Sequence, residues 1–288
     1  MTDEQPTTHR KVALVTGATS GIGRAAAVSL AHRGYRIIAV GRDANRGVAV
    51  VDELERIGAG GAFLPCDLLD LTDVRRLARE LSERYRSLDV LLNNAGGTFR
   101  AKALTPEGIE HTFALNAVAP YALTTALLPT LRAGAGRVVN VVTRVSARTR
   151  LEIDELTDPP RYNAFAAYSR AKLALLALTL EQAARYAEAG ITPVAVHPGI
   201  VFGTRFGSDM PAWLNRLGPF AARLLRRPTS SIGDAGDLLA HAATAALDPG
   251  TLLAEAGPDE PPAAATDPIL RKRLWELLEA LADPDTKS

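Results

Sequence analysis

Short apolar runs alternating with helical patterns organise this chain. Residues 11–15 (KVALV) form an apolar run that ends in a glycine-rich turn and read as a buried strand. Residues 22–33 are Ala-rich with helical spacing, and Gly34 follows as a C-cap. Residues 36–40 (RIIAV) give a second strand, residues 48–57 a helix ended by the glycines of 58–61, and residues 61–65 a third strand. Residues 73–85 place their charges along one face of a helix. Residues 88–92, 137–142 and 192–196 supply three more strands, with a long helix over 166–186 before the last. This alternation predicts an α/β fold, a doubly wound parallel sheet flanked by helices with right-handed crossovers. Residues 257–268 (GPDEPPAAATDP) read as a loop, and residues 269–281 as a short amphipathic helix that docks on the sheet or on a partner chain.

Composition narrows the function classes. Of 288 residues, 47% are hydrophobic and 23% charged, which excludes a largely disordered chain. Lys and Arg number 33 against 32 Asp and Glu, a net charge of +1, so no nucleic-acid partner is expected. The single cysteine, Cys66, can form no intrachain disulfide and excludes a Cys-based zinc site, which points to a cytoplasmic protein. Residues 1–10 read as a disordered polar tail without the apolar core of a signal peptide. The longest apolar stretches, such as 173–178, fall far short of a bilayer, so no transmembrane segment is expected. His9, His32, His111, His197 and His241 are scattered, and no metal is expected.

The first strand runs into Thr16-Gly17-Ala18-Thr19-Ser20-Gly21-Ile22-Gly23 and then a helix. Glycine allows the sharp turn and the close approach of a phosphate, and the helix N-terminus offers N–H groups and partial positive charge to a pyrophosphate. Alone, such a turn could be a tight strand–helix connection; the strand before, helix after and second strand behind supply the context of a dinucleotide site. The second strand ends in Val40-Gly41-Arg42-Asp43, with Arg42 nineteen residues beyond Gly23. A guanidinium there can clamp a 2′-phosphate, which predicts NADP(H) over NAD(H); the alternative is that Asp43 takes the ribose. Arg24 and Arg46 add positive potential or are surface charges.

Tyr168-Ser169-Arg170-Ala171-Lys172 sets a phenol and an ammonium four residues apart, on one face of a helix. A neighbouring ammonium favours the phenolate, and a Tyr so tuned can exchange a proton with a carbonyl or alcohol oxygen. Taken with Thr16–Gly23, Asn93-Asn94-Ala95-Gly96, Asn116 and Pro198-Gly199 in order, the chain resembles the short-chain dehydrogenase/reductase family over roughly residues 10–250. The long gap before Tyr168 with Glu152-Ile153-Asp154-Glu155-Leu156, the run from His111 to Asn116, and Leu274-Trp275-Glu276 are similar to its retinol-dehydrogenase-like branch.

The resemblance implies one Rossmann domain of about seven strands over residues 11–257, followed by a C-terminal loop and helix over 258–288. It implies Tyr168 as general acid/base, Lys172 as its partner and ribose ligand, and Asn116 at a helix kink with a relay water. Gly17, Thr19, Ser20, Gly21, Ile22, Arg42, Asp67, Leu68, Asn94, Ala95, Gly96, Pro198, Gly199 and Val201, with Tyr168 and Lys172, would hold the cofactor. It also implies a homodimer or homotetramer, unless the last helix blocks that interface. Two positions depart from the family pattern. Thr143 stands where a serine is usual at the end of the fifth strand, with Ser146 as the alternative hydroxyl, and Gly203 precedes Thr204 where the family has a threonine.

Residues 202–228 are expected to form a substrate flap, with Phe202, Phe206 and Trp213 as substrate contacts or, alternatively, a helix pair packed on the body. Arg100, Arg144, Arg148 and Arg150 could face the same mouth or solvent. The reading is an NADP(H)-dependent oxidoreductase interconverting a carbonyl and an alcohol on a small, mainly apolar molecule. The alternative is a non-catalytic NADP(H)-binding sensor or scaffold.

Overall fold

Val, Ile, Leu and Ala fill the strands because helices cover both faces of the sheet, leaving no solvent face to favour alternation. The structure, a computed structural model, describes residues 10–146, 148–201 and 229–282. Residues 1–9 of the expected tail and the expected flap 202–228, with Phe202, Gly203, Thr204, Phe206 and Trp213, lie outside the described residues.

The first half alternates as expected: β1 (Val12–Thr16), α1 (Gly21–His32), β2 (Arg36–Gly41), α2 (Ala44–Arg56), β3 (Gly61–Pro65), α3 (Leu71–Arg84) and β4 (Val90–Asn93). Helix starts move earlier than the periodicity predicts, because caps set them. Asp43 accepts from the Arg46 N–H at 3.1 Å and starts α2 four residues ahead of expectation, and Asp70 accepts from Thr72 and Asp73 to start α3.

Residues 111–133, to which the sequence pattern gave no element, are helical: α4 (His111–Phe113), a π-helical stretch Ala114–Val118, α5 (Ala119–Ala126) and α6 (Leu128–Ala133). Then follow β5 (Arg137–Val141), α7 (Ala164–Arg185), β6 (Thr192–His197), β7 (Ile200–Val201), β8 (Thr229–Ser230), α8 (Ile232–Thr244), β9 (Leu252–Ala254), β10 (Gly257–Asp259), α9 (Ala263–Thr266) and α10 (Pro268–Ala282). The loop expected over 257–268 is therefore corrected to a strand and a short helix. Pro258, which has no N–H, is tolerated because β10 is the edge strand.

The main sheet has eight strands in the order β10-β9-β6-β5-β4-β1-β2-β3, all parallel except β10, while β7 and β8 pair separately. After β3 the chain crosses to the other side of β1, so β1 and β4 flank a topological switch point whose carboxyl end opens a crevice. Alternate residues serve two cores. Leu14, Ile38, Leu91 and Val138 pack with the α3, α5 and α7 layer, and Val15, Ile37, Leu92 and Val139 with α1 and α8. Each such buried side chain contributes about 1.5–3 kcal/mol. α1 and α8 approach closely because Gly236 is small: a Cβ there would lie 2.5 Å from the Ala25 Cβ.

The C-terminal helix docks on helices that cover the sheet. Leu274, Trp275 and Leu278 are buried, and the indole meets the Tyr121 and Tyr186 rings edge-on at 5.1 and 6.1 Å with the Arg185 guanidinium 4.3 Å from its centroid. Among the described residues no helix is long and apolar enough to cross a membrane.

Candidate active site

Thr16, the last residue of β1, ties the glycine turn to the end of β4. Its hydroxyl accepts from the Asn94 and Ala95 N–H groups at 3.0 Å and donates to the Leu92 carbonyl at 3.3 Å, while Asn94 Nδ2 donates to the Thr16 carbonyl at 2.9 Å. Gly17 and Gly21 have φ of 66° and 54°, which disfavour any side chain. At Gly23 a Cβ would lie 2.3 Å from Asn94 Nδ2 and 2.4 Å from the Gly17 carbonyl oxygen, so helix α1 can start this close to the turn only with glycine. No acidic residue stands in the first turn of α1, which leaves its partial positive charge available to an anion.

Above this turn runs a cleft of about 750 Å³. Every residue expected to hold the cofactor lines it: Gly17, Thr19, Ser20, Gly21, Ile22, Arg42, Asp67, Leu68, Asn94, Ala95, Gly96, Tyr168, Lys172, Pro198, Gly199 and Val201. So does Thr143. Cys66, Gly97, Thr98, Phe99, Leu115 and Val142 also line it and escaped the sequence reading; each adjoins a residue or motif that was read.

At one end Arg42 is exposed, and among the described residues no ion pair engages it. Asp43 lines the same end of the cleft, where its carboxylate caps α2 and pairs with the Arg46 guanidinium at 3.1 Å. Arg24 is likewise paired, with Glu53 at 2.7 Å. The Cys66 thiol beside Asp73 is pushed up to about 12, chiefly by burial, and is no nucleophile at neutral pH.

At the other end stand Thr143, Tyr168 and Lys172. The Lys172 side chain is buried, its Nζ donates to the Val141 carbonyl at 2.6 Å and lies 5.8 Å from the Tyr168 ring centroid. Burial lowers the Lys172 pKa to about 7. Burial raises that of Tyr168 well above its ordinary value, against a smaller lowering by a hydrogen bond with Thr143. Among the protein's own groups, desolvation is the largest influence on the phenol.

Asn116 is fully buried and stands behind the cleft rather than in it. Its Nδ2 donates to the carbonyls of Thr112 at 2.7 Å and Gly97 at 2.8 Å, and its Oδ1 accepts from the Gly97 N–H at 3.3 Å. The side chain takes the carbonyl four residues back, inside the π-helical stretch. A Cβ on Gly96 would meet Asn116 Oδ1 at 2.7 Å and Lys172 Nζ at 3.0 Å, so Gly96, Asn116 and Lys172 crowd one spot.

The two candidate hydroxyls separate clearly. Ser146 is exposed and accepts from the Arg148 N–H at 3.2 Å in a turn, away from the cleft lining. Of the four arginines, Arg144 pairs with Asp259 at 3.3 Å, and Arg100, Arg148 and Arg150 are exposed without lining the cleft. The acidic residues before α7 act as clamps: Glu155 and Glu152 pair with Arg170, and Asp154 with Arg273 of α10 at 3.0 Å. Among the described residues no group of three or more His, Cys, Asp or Glu could hold a metal ion.

Known proteins resemble this chain in sequence and fold. The model of a family described as short chain dehydrogenase matches residues 11–215. Polyprenol dehydrogenase of Mus musculus is 35% identical over 279 residues, 92% of this chain and 82% of that protein. Retinol dehydrogenase 11 of Mus musculus is 34% identical over 212 residues, 72% of this chain and 67% of that protein. The crystal structure of a short chain dehydrogenase from Burkholderia cenocepacia J2315 in complex with NADP superposes with a TM-score of 0.68 at 27% identity, covering 85% of this chain and 95% of that one.

Proposed function

The chain belongs to the short-chain dehydrogenase/reductase family, in its retinol-dehydrogenase-like branch, and from that premise we propose that it is an NADP(H)-dependent oxidoreductase interconverting a carbonyl and an alcohol on a small, mainly apolar molecule. Family membership makes it an oxidoreductase with a nicotinamide-nucleotide cleft; the cofactor preference, residue roles and substrate class are our reading.

One juxtaposition carries it: Thr143, Tyr168 and Lys172 converge at one end of a cleft whose other end presents Arg42. The glycine turn and the partial positive charge at the start of α1, with no acidic residue in its first turn, suit a pyrophosphate. Arg42, exposed at the cleft, suits a 2′-phosphate, whereas Asp43 is held by its cap and by Arg46. Bound there, the nicotinamide supplies or accepts the hydride.

The chain's own groups handle the proton. Tyr168, kept protonated by burial, donates to a carbonyl oxygen as the alcohol forms, and takes the proton back in the reverse direction. The Thr143 hydroxyl orients that oxygen while bonded to the phenol. Lys172, fixed on the Val141 carbonyl, holds positive charge beneath the phenol whenever it is protonated, and Asn116 braces the Gly96–Gly97 backbone around it. Phe99, Leu115 and Val142 give the substrate end apolar walls, in keeping with relatives named for the apolar alcohols retinol and polyprenol.

The test is NADPH consumption with a panel of aldehydes and ketones. The wild-type protein should consume NADPH with apolar carbonyls. Tight NADPH binding without turnover on any carbonyl would instead make it a sensor or scaffold.

A further inference from the structure

Residues 97–111 leave the cofactor turn and carry Phe99 into the cleft lining. This segment is zipped along its length to residues 157–164, the end of the stretch that precedes Tyr168. The Glu110 N–H donates to the Thr157 carbonyl at 2.7 Å, Lys102 Nζ to the Pro159 carbonyl at 2.9 Å, and the Thr98 hydroxyl to the Ala164 carbonyl at 3.2 Å. Lys102 also pairs with Asp158, and the Tyr162 hydroxyl donates to the Phe99 carbonyl at 2.6 Å.

Phe99 is held at two points. Tyr162 fixes its backbone, and the His111 ring meets its side chain edge-on, with centroids 5.2 Å apart. Tyr162 is itself anchored, because its hydroxyl lies 3.1 Å from the Thr112 hydroxyl, beside the buried Glu110 that caps α4. Burial and Glu110 both keep the Tyr162 phenol protonated and so able to donate. Tyr162 does not line the cleft.

We propose that Tyr162 is a specificity-determining positioning residue: by pinning the Phe99 carbonyl it sets where the Phe99 ring stands, and so how wide a substrate the apolar end of the cleft admits. The inference rests on the reading that this cleft turns over carbonyls. A loop whose backbone is tied can exclude a bulky ligand, whereas an untied loop yields to it.

Tyr162→Phe removes the hydroxyl and keeps the ring. Steady-state kinetics with a small aldehyde and a bulky polycyclic ketone should show kcat/KM for the aldehyde within about threefold of wild type. For the ketone it should rise about five- to tenfold, mainly through KM, as expected for loss of one hydrogen bond. The affinity for NADPH should not change. Phe99→Ala should relax the same discrimination, and the double variant should add little to it. Amide hydrogen exchange should quicken around residues 98–100 in Tyr162→Phe and stay unchanged in β1 and β4.

An equal effect on both carbonyls, additive effects in the double variant, or unaltered exchange would overturn the assignment while leaving the redox reading intact. A wild-type protein inactive on every carbonyl would sink the redox reading, and this inference with it.

Discussion

The Thr143 hydroxyl is hydrogen-bonded to the Tyr168 phenol, joining the end of β5 to the first turns of α7 at one side of the cleft. That bond is why we propose Thr143 as the working hydroxyl. Thr143→Val, which keeps the shape, should lower kcat about 100-fold, in line with removal of one oriented donor. Thr143→Ser should retain most activity. Ser146→Ala should leave kcat within about twofold, since Ser146 is exposed in its own turn. Steady-state assays of the three variants check this ranking, and its reversal would move the role to Ser146.

Arg42→Ala should weaken NADPH binding about 30-fold, the loss of a charge-assisted hydrogen bond worth about 2 kcal/mol. NADH binding should change little. Calorimetric titration with both nucleotides checks it, and equal weakening of the two would remove the 2′-phosphate assignment. Asp43→Ala should cost about 1 kcal/mol of stability through its cap and leave the NADPH-to-NADH ratio alone. A selective loss of NADH would restore the ribose role to Asp43.

Lys172 gives the protein a pH signature. Burial lowers its pKa to about 7 from an ordinary value of 10.5, so between those values the unfolded chain binds more protons than the folded one. Stability from this group therefore rises as pH rises above about 7, and below that the cost of charging it is fully present. Cys66 works the other way only above its ordinary value of 9.0, and Tyr168 only above 10.0. From pH 7 to 9, wild type should thus gain stability relative to Lys172→Met, by at most about 1.4 kcal/mol per pH unit. Urea denaturation at both pH values checks it, and a gap between the two proteins that stays constant would contradict it.

Trp275 anchors the C-terminal helix against Tyr121, Tyr186 and Arg185. Trp275→Ala should cost about 3–5 kcal/mol in chemical denaturation, as expected for emptying a buried indole site. NADPH affinity of the folded protein should be retained, because the helix packs on the outer side of α5 and α7 rather than on the cleft. A change below about 1 kcal/mol would mean that the helix does not hold this place in solution.

The parts of the fold legible in the sequence were those written locally. The glycine turn of Gly17, Gly21 and Gly23, the Tyr168 and Lys172 pair, and the apolar strands all announce themselves within a few residues. Asp43 and Asp70 were visible too, yet a cap marks a helix start only once the backbone around it is known. The helices over 111–133 carry no clean 3.6 period, because both sides of α5 are buried and a π-helical stretch shifts its phase. The Phe99 and Tyr162 link joins residues 63 positions apart, a pairing no local pattern records. The burial of the Tyr168 phenol is likewise a property of the folded cleft, whereas its lysine neighbour is written beside it in the sequence.

On our reading, Tyr168 moves the proton in a cleft that binds NADP(H) independently of it. Rapid mixing of NADPH-saturated protein with an apolar ketone, followed through one turnover in wild type and Tyr168→Phe, measures this directly. Wild type should oxidise its bound NADPH, and Tyr168→Phe, binding NADPH equally well, should do so about 1,000-fold more slowly. Equal rates in the two proteins, or no oxidation by the saturated wild type with any ketone, would rule out that role for Tyr168.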